Sequence, residues 1–257
     1  MSQQPNMSDL PEDLRRALSS LTTCEISDAL IALELSKEVR LLEGIKMMVA
    51  NGQGDQPGSG LDILGKAFTV KMVQVDEPVP DPPKGHHIDN APRGSVMFIQ
   101  GPPTDGPNAL WGDLMSTAAT ARKLQGAIID GRVRDIRGLR EVGFPVFAKG
   151  TATFGQKGFA RPEAQQVPIW FPQKYDPSPR VDFESPIGGI FGGQIHPGDL
   201  ILADEDGILL FPRSWSEERL WEIARAGQEG KKTDERITED LKAGRGVAES
   251  MARWRGK

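Results

Sequence analysis

WGDLMSTAATARKLQGAIIDGRVRDI, residues 111–136, changes its hydrophobic period part-way through, and that change decides the fold. Residues 112–124 are dense in helix formers and stop at Gln125-Gly126, whereas Ala127 to Asp130 is a short apolar run of the kind found in buried strands. The preceding SVMFIQ (95–100) also reads as a strand. Strand, helix, strand is the unit of a parallel crossover. Residues 136–142 then predict a second helix stopped by Gly143, and FPVFA (144–148) predicts the next strand. The class is α/β with mixed pairing.

Upstream, Thr22-Thr23-Cys24-Glu25 fits a capping box, with Ile26, Ala29, Leu30 and Leu33 following on one helical face. NGQGDQPGSG (51–60) is a loop and not a dinucleotide-binding motif, because Pro57 stands where the third glycine is required and no helical run follows. GKAFTVKMVQV (65–75) reads as a strand, and a Pro-rich segment carrying His86 and His87 separates it from the next. Downstream, residues 151–194 are mostly glycine, proline and polar residues, and predict a long irregular insertion that shapes substrate range more than folding. Two short strands at 200–203 and 208–211 form a hairpin across the turn 204–207. Ser214 with Glu217 reads as a second capping box before a helix to about Gln228, and residues 233–242 continue as a polar helix. The expected organisation is a disordered segment at 1–12, one catalytic domain at 13–232 and a helical tail at 233–257.

Composition narrows the function classes. With 31 basic against 36 acidic side chains the 257-residue chain carries a net charge of −5, which gives no support to a dedicated nucleic-acid binder. No stretch approaches the roughly 20 apolar residues of a spanning helix, and MSQQPNMSDLPEDLRR lacks an apolar signal region, so neither membrane nor export is expected. The single cysteine, Cys24, excludes an intrachain disulfide and a Cys-rich zinc site, and a cytoplasmic protein is expected. The 29 glycines and 20 prolines make up about a fifth of the chain, and their position between short apolar runs marks them as turn punctuation.

The densest cluster of chemistry is Asp130-Gly131-Arg132-Val133-Arg134-Asp135, at the carboxyl end of a predicted strand, where α/β sheets favour ligands. Carboxylate suits a hard divalent cation, and guanidinium suits a carboxylate or enolate oxygen. Asp135 is equally suited to cap the helix at Ile136, and the arginines to lie on the surface. If the preceding helix begins near Gly112, the first-turn amides of Asp113, Leu114 and Met115 converge where a substrate carboxylate is favoured. The bland reading of Asp113 is an acidic residue favourable to the helix dipole.

The run from WGDLMSTAATAR through GAIIDGRVRDI to GFPVFAKG, followed by PGDLILADEDGILLFPR, resembles the RraA-like family, and LTTCEISDAL matches its first helix. That family includes 4-hydroxy-4-methyl-2-oxoglutarate aldolases that also decarboxylate oxaloacetate. The resemblance covers about residues 21–213. It implies an α/β/β sandwich related to swivelling phosphohistidine domains, with flanking helices. It also implies a small 2-oxo acid substrate, Mg²⁺ or Mn²⁺ as cofactor, and a homotrimer or hexamer with sites near subunit contacts, where Glu217, Glu218, Glu222 or Glu229 of a neighbour could contribute. Carried onto this chain, Asp135 is the metal ligand and Arg134 contacts the keto or enolate oxygen. The amides of Gly112, Asp113, Leu114 and Met115 receive the carboxylate, and Asp113 orients a water for proton transfer. The implied reaction is lyase cleavage through a pyruvate enolate, with no Schiff-base lysine. The alternatives are a non-catalytic regulator of an RNA-processing enzyme, as some RraA-like proteins are, or a lyase or isomerase acting on a different oxo acid. Nothing supports a methyltransferase.

Weaker candidates remain. His86 and His87 read mainly as polar loop residues, His196 as lacking an acidic partner at a diagnostic spacing, and Cys24 as a core residue rather than a nucleophile. Trp111 either lines the pocket or fills the core. The acidic turn 204–206 lacks the further ligands of a calcium loop.

Overall fold

The computed structural model describes residues 10–52, 60–104, 106–172 and 190–256, so residues 1–9 of the segment expected to be disordered (1–12) and most of the 51–60 loop lie outside the described residues, while Glu12 already begins a helix. The chain opens with α1 (Glu12–Ser19) and α2 (Thr23–Ala32), then β1 (Arg40–Leu41), β2 (Lys46–Val49) and the 12-residue β3 (Ile63–Gln74). The next portion is α3 (His87–Asn90), β4 (Val96–Gln100), β5 (Ala109–Trp111), α4 (Asp113–Ala121), β6 (Gly126–Val133), α5 (Ile136–Val142) and β7 (Val146–Thr151). After it come β8 (Ala160–Gln165), β9 (Ile169–Phe171), β10 (Ile190–Phe191), β11 (Gly193–Ile195), β12 (Leu200–Asp204), β13 (Gly207–Phe211), α6 (Glu217–Lys242) and α7 (Val247–Arg255).

The main sheet runs β10-β1-β13-β12-β3-β4-β6-β7-β2, with β5 alongside β6 and β8 alongside β3. β3, β4, β6 and β7 are parallel neighbours, as the crossover reading requires. The length of β3 joins the two halves: residues 63–66 pair antiparallel with β12, residues 67–71 run parallel to β4, and residues 70–74 pair antiparallel with β8. One face of the curled sheet closes on itself around Ile63, Phe98, Ile128, Phe147, Ile201 and Leu210. Its opposite face is covered in one half by residues of α3, α4 and α5, and in the other by α1, α2 and α6. Alternation along each strand sends neighbouring apolar residues into different cores, which is why the central strands read as continuous hydrophobic runs.

The first capping box is present: Thr22 Oγ1 accepts from the Glu25 N–H at 3.1 Å, and Glu25 Oε2 accepts from the Thr22 N–H at 2.8 Å. The second expected box is displaced. Ser216, not Ser214, caps α6, accepting from the Arg219 N–H at 3.3 Å. α6 then runs unbroken for 26 residues through Gly227 and Gly230. Gly227 is a packing device there, since a Cβ would stand 2.6 Å from Leu21 Cδ1. Helix α7 folds back on α6 through Trp254, whose Nε1 donates to Asp240 at 2.9 Å.

Residues 151–172 are more ordered than their composition predicts. β8 extends the sheet beside β3, and β9 pairs with β11, burying Ile169, Phe171 and Ile195 in the central core. Three-residue strands are too short for a period-2 signal, and Pro162 sits beside the register shift between Lys71 and Met72. This part of the insertion contributes to the core, which the expectation that it shapes substrate range more than folding did not foresee. Residues 173–189 lie outside the described residues.

Candidate active site at the amino ends of two helices

β5 lies beside the end of β6, and the Arg134 N–H donates to the Trp111 carbonyl at 3.0 Å, so the turn into α4 meets the turn into α5. Glycines allow the approach. A Cβ on Gly112 would stand 2.8 Å from Asp135 Oδ2, and one on Gly138 would stand 2.5 Å from Asp113 Oδ2. Each carboxylate thus packs on the other helix's leading turn. A third glycine, Gly155, receives the Arg134 guanidinium, with a Cβ there 2.8 Å from Nη1. Gly138 and Gly155 are close contacts of the candidate site residues that sequence reading missed, because nothing in their local pattern distinguishes them from turn glycines.

Asp135 stands at the N-cap position of α5 but its side chain makes no cap hydrogen bond. Its backbone is left-handed, with φ 58° and ψ 42°, a conformation uncommon outside glycine that persists where surrounding structure enforces it. The carboxylate instead meets Arg134, Oδ2 to Nε at 3.2 Å, with the two side chains 42% and 43% exposed. The capping explanation for this aspartate is thereby removed. At α4 the amide cradle is partly engaged: Leu114 N–H donates to Asp113 Oδ1 at 2.7 Å, and Met115 N–H donates to the Gly112 carbonyl at 3.1 Å. An incoming carboxylate would therefore exchange with Asp113 Oδ1 at the Leu114 amide.

The acidic side chains at these two turns, Asp113 and Asp135, are carboxylates, a ligand type that fits a hard cation. Among the described residues no group of three or more His, Cys, Asp or Glu could hold a metal. A cation bound through Asp135 would keep most of its waters, as Mg²⁺ prefers.

Trp111 is core: it is 2% exposed, donates from Nε1 to Ser116 Oγ at 2.8 Å and stacks on Phe144. Cys24 is exposed, against expectation, and its thiol donates to Asp206 at 3.4 Å. Desolvation and that carboxylate push its pKa up to about 11, so it is a thiol at neutral pH and a poor nucleophile. The acidic turn serves α2, with Asp204 accepting from the Thr23 N–H and hydroxyl, both at 2.6 Å. His196 does have an acidic neighbour, Asp199, whose Oδ2 accepts the His196 N–H at 2.8 Å.

His87 is the unusual histidine. It is 3% exposed, its ring centroid lies 4.1 Å from that of His86, and neither ring nitrogen has a hydrogen-bond partner among the described residues. Desolvation, with a smaller contribution from His86, pushes its pKa from 6.5 down to about 3. A base whose folded pKa is lowered destabilises the fold below its unfolded pKa. Stability should be flat above pH 6.5 and fall by about 2 kcal/mol between pH 6.5 and 5 from this residue alone. Urea titrations of wild type and His87→Phe across that range test it, and a parallel loss in both would refute the assignment.

A family profile described as Aldolase/RraA matches residues 23–210. The chain belongs to the RraA-like family. Among its relatives, a Halalkalibacterium halodurans protein provisionally assigned as a 4-hydroxy-4-methyl-2-oxoglutarate aldolase is 27% identical, over 90% of each chain. Protein DlpA of Legionella pneumophila is 26% identical over 92% of this chain, which spans only 33% of DlpA. Among solved structures, a Pseudomonas syringae protein of unassigned function matches with a TM-score of 0.65 and 26% identity, covering 95% of this chain and 98% of its own. Streptomyces coelicolor RraAS2 shares the RraA-like fold at a TM-score of 0.61 and 19% identity, over 89% and 96% of the two chains. Among the described residues no helix is long and apolar enough to cross a membrane.

Proposed function

We propose that this RraA-like protein is a divalent-metal-dependent lyase that cleaves a C–C bond of a small 2-oxo acid to release pyruvate. The observation that carries the reading is Asp135, held in a left-handed backbone, making no cap bond and set against Arg134. A left-handed backbone outside glycine persists where the surroundings enforce it, and here it turns the carboxylate away from the helix amides and toward Arg134, which supports a role in the site. The assigned names of relatives near 27% identity support a lyase at the level of the family.

When bound through Asp135, Mg²⁺ or Mn²⁺ supplies Lewis-acid stabilisation of negative charge on the substrate. Arg134 binds the keto oxygen and holds the charge that develops there as the C3–C4 bond breaks. Its guanidinium plane is set by Gly155 on one side and Asp135 on the other, so it is oriented before substrate arrives. The Leu114 amide, released by Asp113, receives the substrate carboxylate, and the freed Asp113 carboxylate can then carry a proton. In the retro-aldol direction the C4 hydroxyl loses its proton, the bonding pair passes into the enolate, and protonation at C3 completes pyruvate. Oxaloacetate decarboxylation needs no base at C4, so one site serves both.

Purified protein should release pyruvate from 4-hydroxy-4-methyl-2-oxoglutarate, from oxaloacetate, or from both, only with Mg²⁺ or Mn²⁺ present and not after chelation. Activity on neither substrate would favour the regulator or another oxo acid.

A further inference from the structure

The pairing of β6 with β7 contains a β-bulge immediately before the candidate site. Ile129 faces Ala148 and Arg132 faces Gly150, so Asp130 and Gly131 together stand opposite the single residue Lys149. Bulges are rare in parallel pairs, and they re-aim the side chains that follow. Because side chains alternate with period two, one extra residue turns every later side chain to the other face. Arg134 and Asp135 follow this bulge by three and four residues, and their placement against Gly155 and Gly112 depends on it.

The bulge has a pin. Lys149 forms an ion pair with Asp130 across it, the Asp130 side chain being 1% exposed and that of Lys149 35%. The ammonium also lies 5.9 Å from the Phe171 ring centroid, under the strand β9. Two backbone features support the geometry: Gly101 N–H donates to the Asp130 carbonyl at 3.0 Å, and Gly131 has no room for a Cβ, which would stand 2.8 Å from Leu110 Cδ1. Burial this complete is costly for a carboxylate unless it is paired, and Lys149 supplies the opposing charge.

We infer that Lys149 is a positioning residue, whose ion pair with Asp130 holds the β6 bulge in register and so fixes the face on which Arg134 and Asp135 stand. The register claim stands on geometry alone, and its catalytic consequence rests on the lyase reading above. A lysine in this role does not touch substrate. It acts through four residues of backbone.

The decisive comparison uses Lys149→Arg and the double variant Asp130→Asn/Lys149→Met, which removes both charges together and strands neither. Hydrogen–deuterium exchange of the peptide covering residues 131–136, a Mn²⁺ titration followed by electron paramagnetic resonance, and pyruvate-release kinetics are measured on each. The double variant is expected to exchange that peptide at least 10-fold faster while β3 peptides keep their wild-type rate, with Kd for Mn²⁺ and KM both rising about 10-fold. Lys149→Arg should behave as wild type in all three. Unchanged exchange in the double variant overturns the inference. Should the double variant unfold, Asp130→Asn alone gives the same comparison, since the half-buried Lys149 can then turn to water. Faster exchange together with a wild-type protein that releases no pyruvate would remove the lyase reading and leave the register device standing.

Discussion

Asp135→Asn should fold as wild type, bind Mn²⁺ poorly and release pyruvate on the order of 100-fold or more slowly, because the substrate's developing charge loses its main electrostatic partner. The structure makes this substitution unusually clean. Asparagine tolerates the left-handed backbone at φ 58° better than most residues, so no strain is added. No cap hydrogen bond is lost, since the aspartate makes none. The contact with Arg134 Nε at 3.2 Å joins two side chains more than two-fifths exposed, and such pairs contribute about 0–1 kcal/mol. A melting temperature within a few degrees of wild type, beside the loss of turnover, is the expected pair of results. Arg134→Lys is the companion: it keeps the charge but loses the planar fork seated on Gly155, so KM and turnover should suffer while Mn²⁺ still binds. A folded Asp135→Asn protein with undiminished metal-dependent activity would take the central residue out of the mechanism.

The largest stability effect is expected from Lys149→Met as a single change. It leaves the Asp130 carboxylate, 1% exposed, without its cation. Stranding one partner of a buried pair typically costs 3–5 kcal/mol, and the lower end, about 3 kcal/mol, applies here because Lys149 itself is one-third exposed. The deficit should depend on pH in a defined direction. Loss of an opposing charge moves a buried carboxylate's folded pKa upward, which favours its protonated form over its ionised form. The gap between variant and wild type should therefore be full at pH 7 and shrink as pH falls toward 4. Denaturant titrations at pH 7 and pH 5 measure it. A variant as stable as wild type at pH 7 would show that the pair contributes nothing net.

Much of this protein is written locally in its chain. The crossover from β4 through α4 to β6, the helix α5 closed by left-handed Gly143, the hairpin of β12 and β13 and the Thr22 capping box all follow from period, propensity and turn chemistry within about ten residues. Residues of the candidate site were legible for the same reason, as Asp113 follows the glycine that caps a helix and Arg134-Asp135 follow the end of a strand.

Only tertiary structure decided how those residues are used. Sequence left Asp135 open between cap and ligand, and the structure shows a left-handed backbone, no side-chain cap bond and the carboxylate turned to Arg134. Gly138 and Gly155 became site residues through contacts with Asp113 and Arg134 that no local pattern announces. The short strands β8 and β9 order a stretch whose composition reads as loop, because pairing with β3 and β11 outweighs weak intrinsic preference. Lys149 and Asp130 are 19 positions apart, and a bulge exists only between two strands, so the pin that sets the register could not be read from either strand alone. Local patterns specify elements because their physics is short-ranged along the chain. Register, buried charge pairing and close backbone approach are properties of two segments at once, and folding is what brings those segments together.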